Sequence, residues 1–199
     1  MDLAQIENLG TPSLILDLAR VRRNAERMSA RATALGVRIR PHVKTHKCVE
    51  VAKIQTAGHD GGITVSTLEE ARAFAANGFR DITYAVPIER GKFGAAFELM
   101  QRGVRLNLLT DDIETVFAMD AVAADSGVKP NVFVKVDCGY HRVGVEPTSE
   151  SAIAIPQAIS DAKHLEFAGI LTHAGHSYDV ATRDEIVAIA RQERDVMVE

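Results

Sequence analysis

Apolar and polar positions along this chain follow two periods, and the switches between them outline its elements. Residues 18–35 place Val21, Ala25, Met28 and Ala32 on one face, the spacing of an amphipathic helix, with Asp17 as its N-cap and Gly36 at its end. Residues 37–44 alternate instead. Val37, Ile39, Pro41 and Val43 face one way, and Arg38, Arg40, His42 and Lys44 the other, a strand pattern whose polar side is entirely cationic or imidazole. From there helix and strand patterns take turns: helix 47–57 and strand 63–67, helix 68–77 and strand 81–87, helix 92–102 and strand 105–110, helix 112–125 and strand 131–137, helix 149–160 and strand 165–173. A last amphipathic helix covers 183–199, with Ile186, Ile189 and Ala190 on one side. Thr11 precedes a proline, so residues 1–18 are expected to be an extended N-terminal segment.

This alternation predicts an α/β fold built from βα units around a parallel sheet. An open doubly wound sheet and a closed (β/α)8 TIM-type barrel both satisfy it. No GxGxxG follows a strand, which removes the main cue for the first. Chemically suggestive residues (Lys44, Ser66, Asp137 and His173) stand at the carboxyl ends of several successive strands, as they would around the mouth of a barrel. The expectation is an incomplete barrel of about six of the eight units. Residues 1–199 would form one domain, truncated at its C-terminal side, because the chain stops inside a helix pattern without a glycine or proline stop.

Composition narrows the setting. The chain is 46% hydrophobic and 25% charged with a net charge of -4, which gives no footprint for nucleic acid. No apolar run is long enough to span a bilayer, and the first ten residues lack the pattern of a secretory signal. Cys48 and Cys138 make no metal-type or redox pair, so a reducing, cytoplasmic location is expected.

Lys44 is the leading candidate for chemistry. Arg40, His42 and Lys47 surround it with like charge that disfavours its protonation, and a neutral amine can attack a carbonyl carbon. The alternative is a surface lysine in a basic loop. Five of the seven histidines fall at three predicted strand ends: His42 and His46, His141, and His173 and His176. Proton transfer, stacking on a ring, metal ligation or simple loop hydrogen bonding are all open to them. In Asp137-Cys-Gly-Tyr-His-Arg-Val-Gly, Arg142 lies between two glycines, where it could meet an oxyanion or pair with Asp137. Cys138 reads as a small filler. The loop from His173 to Tyr178 offers amides and hydroxyls that could hold a phosphate.

Arg40-Pro-His-Val-Lys-Thr-His-Lys resembles the cofactor-lysine motif of the fold-type III pyridoxal phosphate enzymes, and within them the D-threonine aldolase and D-serine dehydratase group, related to the alanine racemase N-terminal barrel. The likeness runs through Gly62-Ile-Thr-Val-Ser-Thr-Leu-Glu-Glu-Ala, Val134-Lys-Val-Asp-Cys-Gly-Tyr-His-Arg-Val-Gly and Gly169-Ile-Leu-Thr-His-Ala-Gly-His-Ser-Tyr. It implies that Lys44 carries pyridoxal 5′-phosphate covalently, that Arg142 lies near the cofactor's phenolic oxygen, and that His173 packs against its ring. Tyr178 is a further cofactor-site residue on the same grounds. The implied activity is that of a lyase on a small D-amino acid, foremost D-serine dehydratase-like β-elimination. D-threonine aldolase-type cleavage, with His42 or His46 as the base, is the alternative, as is a non-catalytic cofactor carrier or racemase-like protein. Family members continue through two more strands and a C-terminal β-domain that supplies the ligands of a divalent metal (zinc or manganese). Those ligands are not expected in this chain. A homodimer is also implied.

Overall fold

Among the described residues a long helix, α1 (Leu18–Ala34), begins where Asp17 Oδ1 accepts the Arg20 N–H at 2.9 Å, and it runs toward a glycine, Gly36, with φ of 66°. This is a computed structural model, and it describes residues 7–199. The inward stripe of α1 is thinner than its pattern promised: Ala32 is buried, but Met28 stays half exposed.

Beyond α1 the chain alternates. The helices are α2 (Val49–Thr56), α3 (Leu68–Ala76), α4 (Phe93–Gln101), α5 (Ile113–Ser126), α6 (Glu150–Asp161) and α7 (Arg183–Val198). Between them lie β1 (Ile63–Val65), β2 (Asp81–Pro87), β3 (Arg105–Thr110), β4 (Asn131–Lys135) and β5 (Glu166–Leu171). The five strands make one sheet in the order β1-β2-β3-β4-β5, with every pairing parallel. A doubly wound sheet would reverse its order at a switch point; strands that neighbour in sequence order throughout describe the arc of a barrel.

The outward faces of the strands form the core. Ile63, Val65, Ile82, Tyr84, Leu106, Leu108, Val132 and Val134 are each at most 1% exposed and pack against apolar residues of α3 to α6. Each such side chain contributes about 1.5–3 kcal/mol. The opposite face of the arc is more polar. Buried Asn107 donates from Nδ2 to Thr83 Oγ1 at 3.1 Å, one strand away.

The structure corrects one expectation. Residues 37–44 are not a strand. They meet the sheet through a single parallel bridge, His42 with Thr64, where Thr64 N–H donates to the Pro41 carbonyl at 2.8 Å. Pro41 has no N–H to extend that ladder, and Val43–Thr45 coil directly into a 3₁₀ turn. The alternation nevertheless assigned the facing correctly from Arg40 onward. Val43 is fully buried, while Arg40, His42 and Lys44 face a cavity.

Candidate active site

At the carboxyl ends of the strands the arc encloses a cavity of about 560 Å³. Lys44 reaches it from the 3₁₀ turn, Thr64 and Ser66 from β1 and its end, Lys135 from β4, Arg142 from the glycine-bracketed loop, and Thr172, His173 and Tyr178 from beyond β5. Its lining includes four cationic side chains (Arg40, Lys44, Lys135 and Arg142) and no carboxylate.

The floor is polar by construction. Arg40 reaches under the cavity to Asp81 at the start of β2, with Nη2 to Oδ2 at 2.7 Å and Nη1 to Oδ1 at 3.0 Å. It leaves no room for a side chain at Gly62, where a Cβ would come within 2.7 Å of the guanidinium. Burial raises the Asp81 carboxyl, but the hydrogen bonds and charge of Arg40 outweigh it and hold Asp81 below the usual carboxylate range.

His42 caps the 3₁₀ turn. Its Nδ1 accepts the Lys44 N–H at 3.4 Å, which leaves the proton of a neutral ring on Nε2, 3.4 Å from Ser66 Oγ. Burial, then the Lys44 ammonium, pushes the His42 imidazolium down in pKa, so the ring is neutral at pH 7. His173 shifts the same way, through burial first and then Arg142, Lys135 and Lys44.

Arg142 forms no ion pair among the described residues, so the Asp137 pairing weighed above is not made. Its Cζ lies 5.2 Å from the centroid of the Tyr140 ring. Tyr140 also meets His173 edge-on at 5.8 Å, and His173 meets Tyr178 at 5.8 Å, with Tyr178 largely exposed at the rim. Asp137 has a different task. Its Oδ1 accepts the N–H groups of Gly139, Tyr140 and His141 at 2.9–3.0 Å, pinning the loop that carries Arg142.

Two other expectations change. His46 does not join the cavity, since its Nδ1 accepts the Cys48 N–H at 3.0 Å and its Nε2 meets Gln55 at 2.9 Å. Lys47 turns away to Glu70 at 3.2 Å. Of the five histidines at strand ends, only His42 and His173 line the cavity. His176 instead stacks on Tyr140 at 6.1 Å, and Gly175 is explained by packing, because a Cβ there would meet the Tyr140 ring at 2.3 Å. Sequence reasoning gave no role to Tyr140 or Lys135. A lysine among Val132, Val134 and Val136 was the visible signal for the second.

Residues 16–196 match the family described as alanine racemase, N-terminal domain. The D-threo-3-hydroxyaspartate dehydratase of Delftia sp. (strain HT23) is 41% identical over 94% of this chain and 49% of its own length. Its solved structure superposes with a TM-score of 0.90 at 40% identity, over 95% of this chain and 50% of that one. The D-serine dehydratase of Dictyostelium discoideum is 38% identical over 96% of this chain and 51% of its own length. The crystal structure of D-threonine aldolase from Filomicrobium marinum matches at 32% identity and a TM-score of 0.87, over 94% of this chain and 50% of that one. The chain thus spans about half the length of these relatives, and it belongs to the alanine racemase N-terminal domain family.

Proposed function

We propose that the protein is a pyridoxal-phosphate-dependent lyase that eliminates water from a D-amino acid bearing a β-hydroxyl, yielding a 2-oxo acid and ammonia. One observation carries this reading. Lys44, Arg142 and His173, from three separate segments, converge on a cavity with no carboxylate in its lining. Two dehydratases, at 41% and 38% identity, stand above the 3-hydroxy-D-aspartate aldolase of Paracoccus denitrificans at 35% and the D-threonine aldolase of Arthrobacter sp at 30%, with further D-serine dehydratases at 31% and 27%. The first two identities favour elimination over Cα–Cβ cleavage.

The residues present fit the cofactor. The cavity volume of about 560 Å³ lies within the range of small-molecule sites, and its cations match a phosphorylated, phenolic ring. Lys44 Nζ would hold the cofactor covalently, Arg142 would donate to its ring oxygen, and His173, kept neutral, would pack against the ring. When bound, pyridoxal phosphate supplies an electron sink for the bond that breaks at Cα. Lys44 Nζ is then the base for the Cα proton. His42, neutral with its proton on Nε2, suits hydrogen bonding to the β-hydroxyl rather than charge pairing. Among the described residues the lining of this cavity offers two imidazoles, His42 and His173, and neither carboxylate nor thiol, so it does not make a complete divalent-metal site by itself and no step is assigned to one. Among the described residues the carboxylate–imidazole cluster of Asp137, His141 and Glu146 lies outside it, with Asp137 already committed to the loop.

The test is an absorption spectrum with added pyridoxal phosphate, together with borohydride reduction and mass analysis. Wild type should give a visible band and a reduced adduct on Lys44; Lys44→Ala should give neither. Equal spectra and no adduct on Lys44 would sink the proposal. Ammonia and pyruvate from D-serine mark the dehydratase, glycine from D-threonine marks an aldolase, and cofactor binding without either product marks a carrier.

A further inference from the structure

Glu70 lies in the first turn of α3, outside the cavity lining, and no step of the proposed reaction uses it. It is nevertheless a buried carboxylate, 7% exposed, with both oxygens engaged. Oε2 accepts the Ser66 N–H at 2.8 Å, and Oε1 lies 3.2 Å from Lys47 Nζ. Burial raises its carboxyl, but the Ser66 amide and then Lys47 outweigh it, so Glu70 is ionised at pH 7. Its two partners belong to the two segments that carry Lys44 and the His42–Ser66 pair. Ser66 follows β1 and meets His42 Nε2 through its hydroxyl at 3.4 Å. Lys47 closes the 3₁₀ turn of Lys44, donating its N–H to the Val43 carbonyl at 2.8 Å. Its φ of 47° lies in the left-handed region, which a lysine keeps only where its surroundings impose it. Arg40 on Asp81 grips the chain upstream of Lys44; Glu70 on Lys47 grips it downstream.

We propose that Glu70 is a positioning residue, which ties the downstream end of the Lys44 turn to the end of β1 and so fixes where Lys44 and the His42–Ser66 pair meet the ligand. For the chemistry at Lys44 this rests on the reading of the cavity as a pyridoxal phosphate site; the tie between the two segments does not. Glu70 acts through its neighbours and touches no ligand. Its charge also reaches the cavity by way of His42. Burial lowers the pKa of that ring, and Lys44 and His173 lower it further, while Glu70 and the Thr64 backbone raise it. A neutral side chain at position 70 therefore lets His42 fall further still.

The experiment has two arms, both on the full chain. Without cofactor, NMR follows the His42 ring protons through a pH titration. Glu70→Gln should lower the midpoint, whereas Asp17→Ala, which loses the α1 cap outside the cavity and controls for stability, should leave it at the wild-type value. In the second arm pyridoxal phosphate is added, borohydride is introduced at timed intervals, and the Lys44 adduct is followed by mass. Adduct formation should be about tenfold slower in Glu70→Gln, which loses the charge on both partners. It should be about two- to fivefold slower in Lys47→Met, and near wild type in Lys47→Arg, which restores the ion pair. Asp17→Ala should match wild type at a lower melting temperature. Wild-type rates in both Glu70→Gln and Lys47→Met, or equal slowing in Asp17→Ala, would overturn the positioning role and leave the cofactor reading standing. A wild type that forms no Lys44 adduct would overturn the cofactor reading instead, and an unmoved His42 midpoint in Glu70→Gln would then overturn the tie as well. Lys47→Met decides the second arm should Glu70→Gln fold poorly, because the Lys47 side chain is 65% exposed.

Discussion

Asp137 holds the loop of Arg142 on a single oxygen, since Oδ1 accepts three backbone N–H groups while Oδ2 faces the His141 ring. Charge-assisted bonds of this kind are about twice as strong as neutral ones. Asp137→Asn keeps an acceptor and loses the charge, so it should cost about 1–2 kcal/mol, read from the urea midpoint. Burial raises the carboxyls of Asp137, Asp81 and Glu70, but their hydrogen-bond and cationic partners outweigh it and hold all three below their ordinary values. A carboxyl depressed in the folded state adds stability that is present above its unfolded value and lost as pH falls through the folded one. The melting temperature should therefore hold down to about pH 5 and fall below about pH 4, and it should fall less steeply in Asp137→Asn. A melting temperature that stays level to about pH 2 would contradict this account.

Between elements, Tyr140 is the shared surface of the site. Arg142 lies over its ring, His173 meets it in an edge-on pair from beyond β5, and Gly175 packs against it. Tyr140→Leu should weaken pyridoxal phosphate binding about two- to tenfold, while Tyr140→Phe should stay near wild type, both measured by fluorescence titration. An equal loss in the two variants would point to the hydroxyl rather than the ring. The meeting with His173 and Gly175 was not legible in the sequence, because those partners of Tyr140 belong to a different βα unit. What was legible was local. The bounds of β2 and β3 agree with the patterns at 81–87 and 105–110, where apolar residues alternate between clear turn signals. Residues 37–44 show the limit of such reading: alternation encodes which way a side chain faces, not whether a neighbouring strand is there to pair with. His46 fails for a related reason. Its spacing from His42 says nothing of the 3₁₀ turn between them, which directs it toward Gln55.

Across the whole molecule, a sheet that adds strands in sequence order brings residues more than a hundred positions apart, Lys44 and His173, to one opening. The segment bearing Lys44 is held to that sheet by one bridge and by the grip of Arg40 on Asp81. Gly62→Ala should disturb this grip, because the new methyl group would occupy the guanidinium's place. It should lower the melting temperature and weaken cofactor binding together, whereas Gly91→Ala, with open space around it, should leave cofactor binding unchanged. The consequence of the Arg40–Asp81 grip is mechanical. Where a ladder of backbone bonds would fix the lysine's height above the barrel floor, here a side chain sets it. The depth at which Lys44 presents its amine is thus a tether length, open to adjustment by a single substitution beneath the cavity that touches no ligand at all.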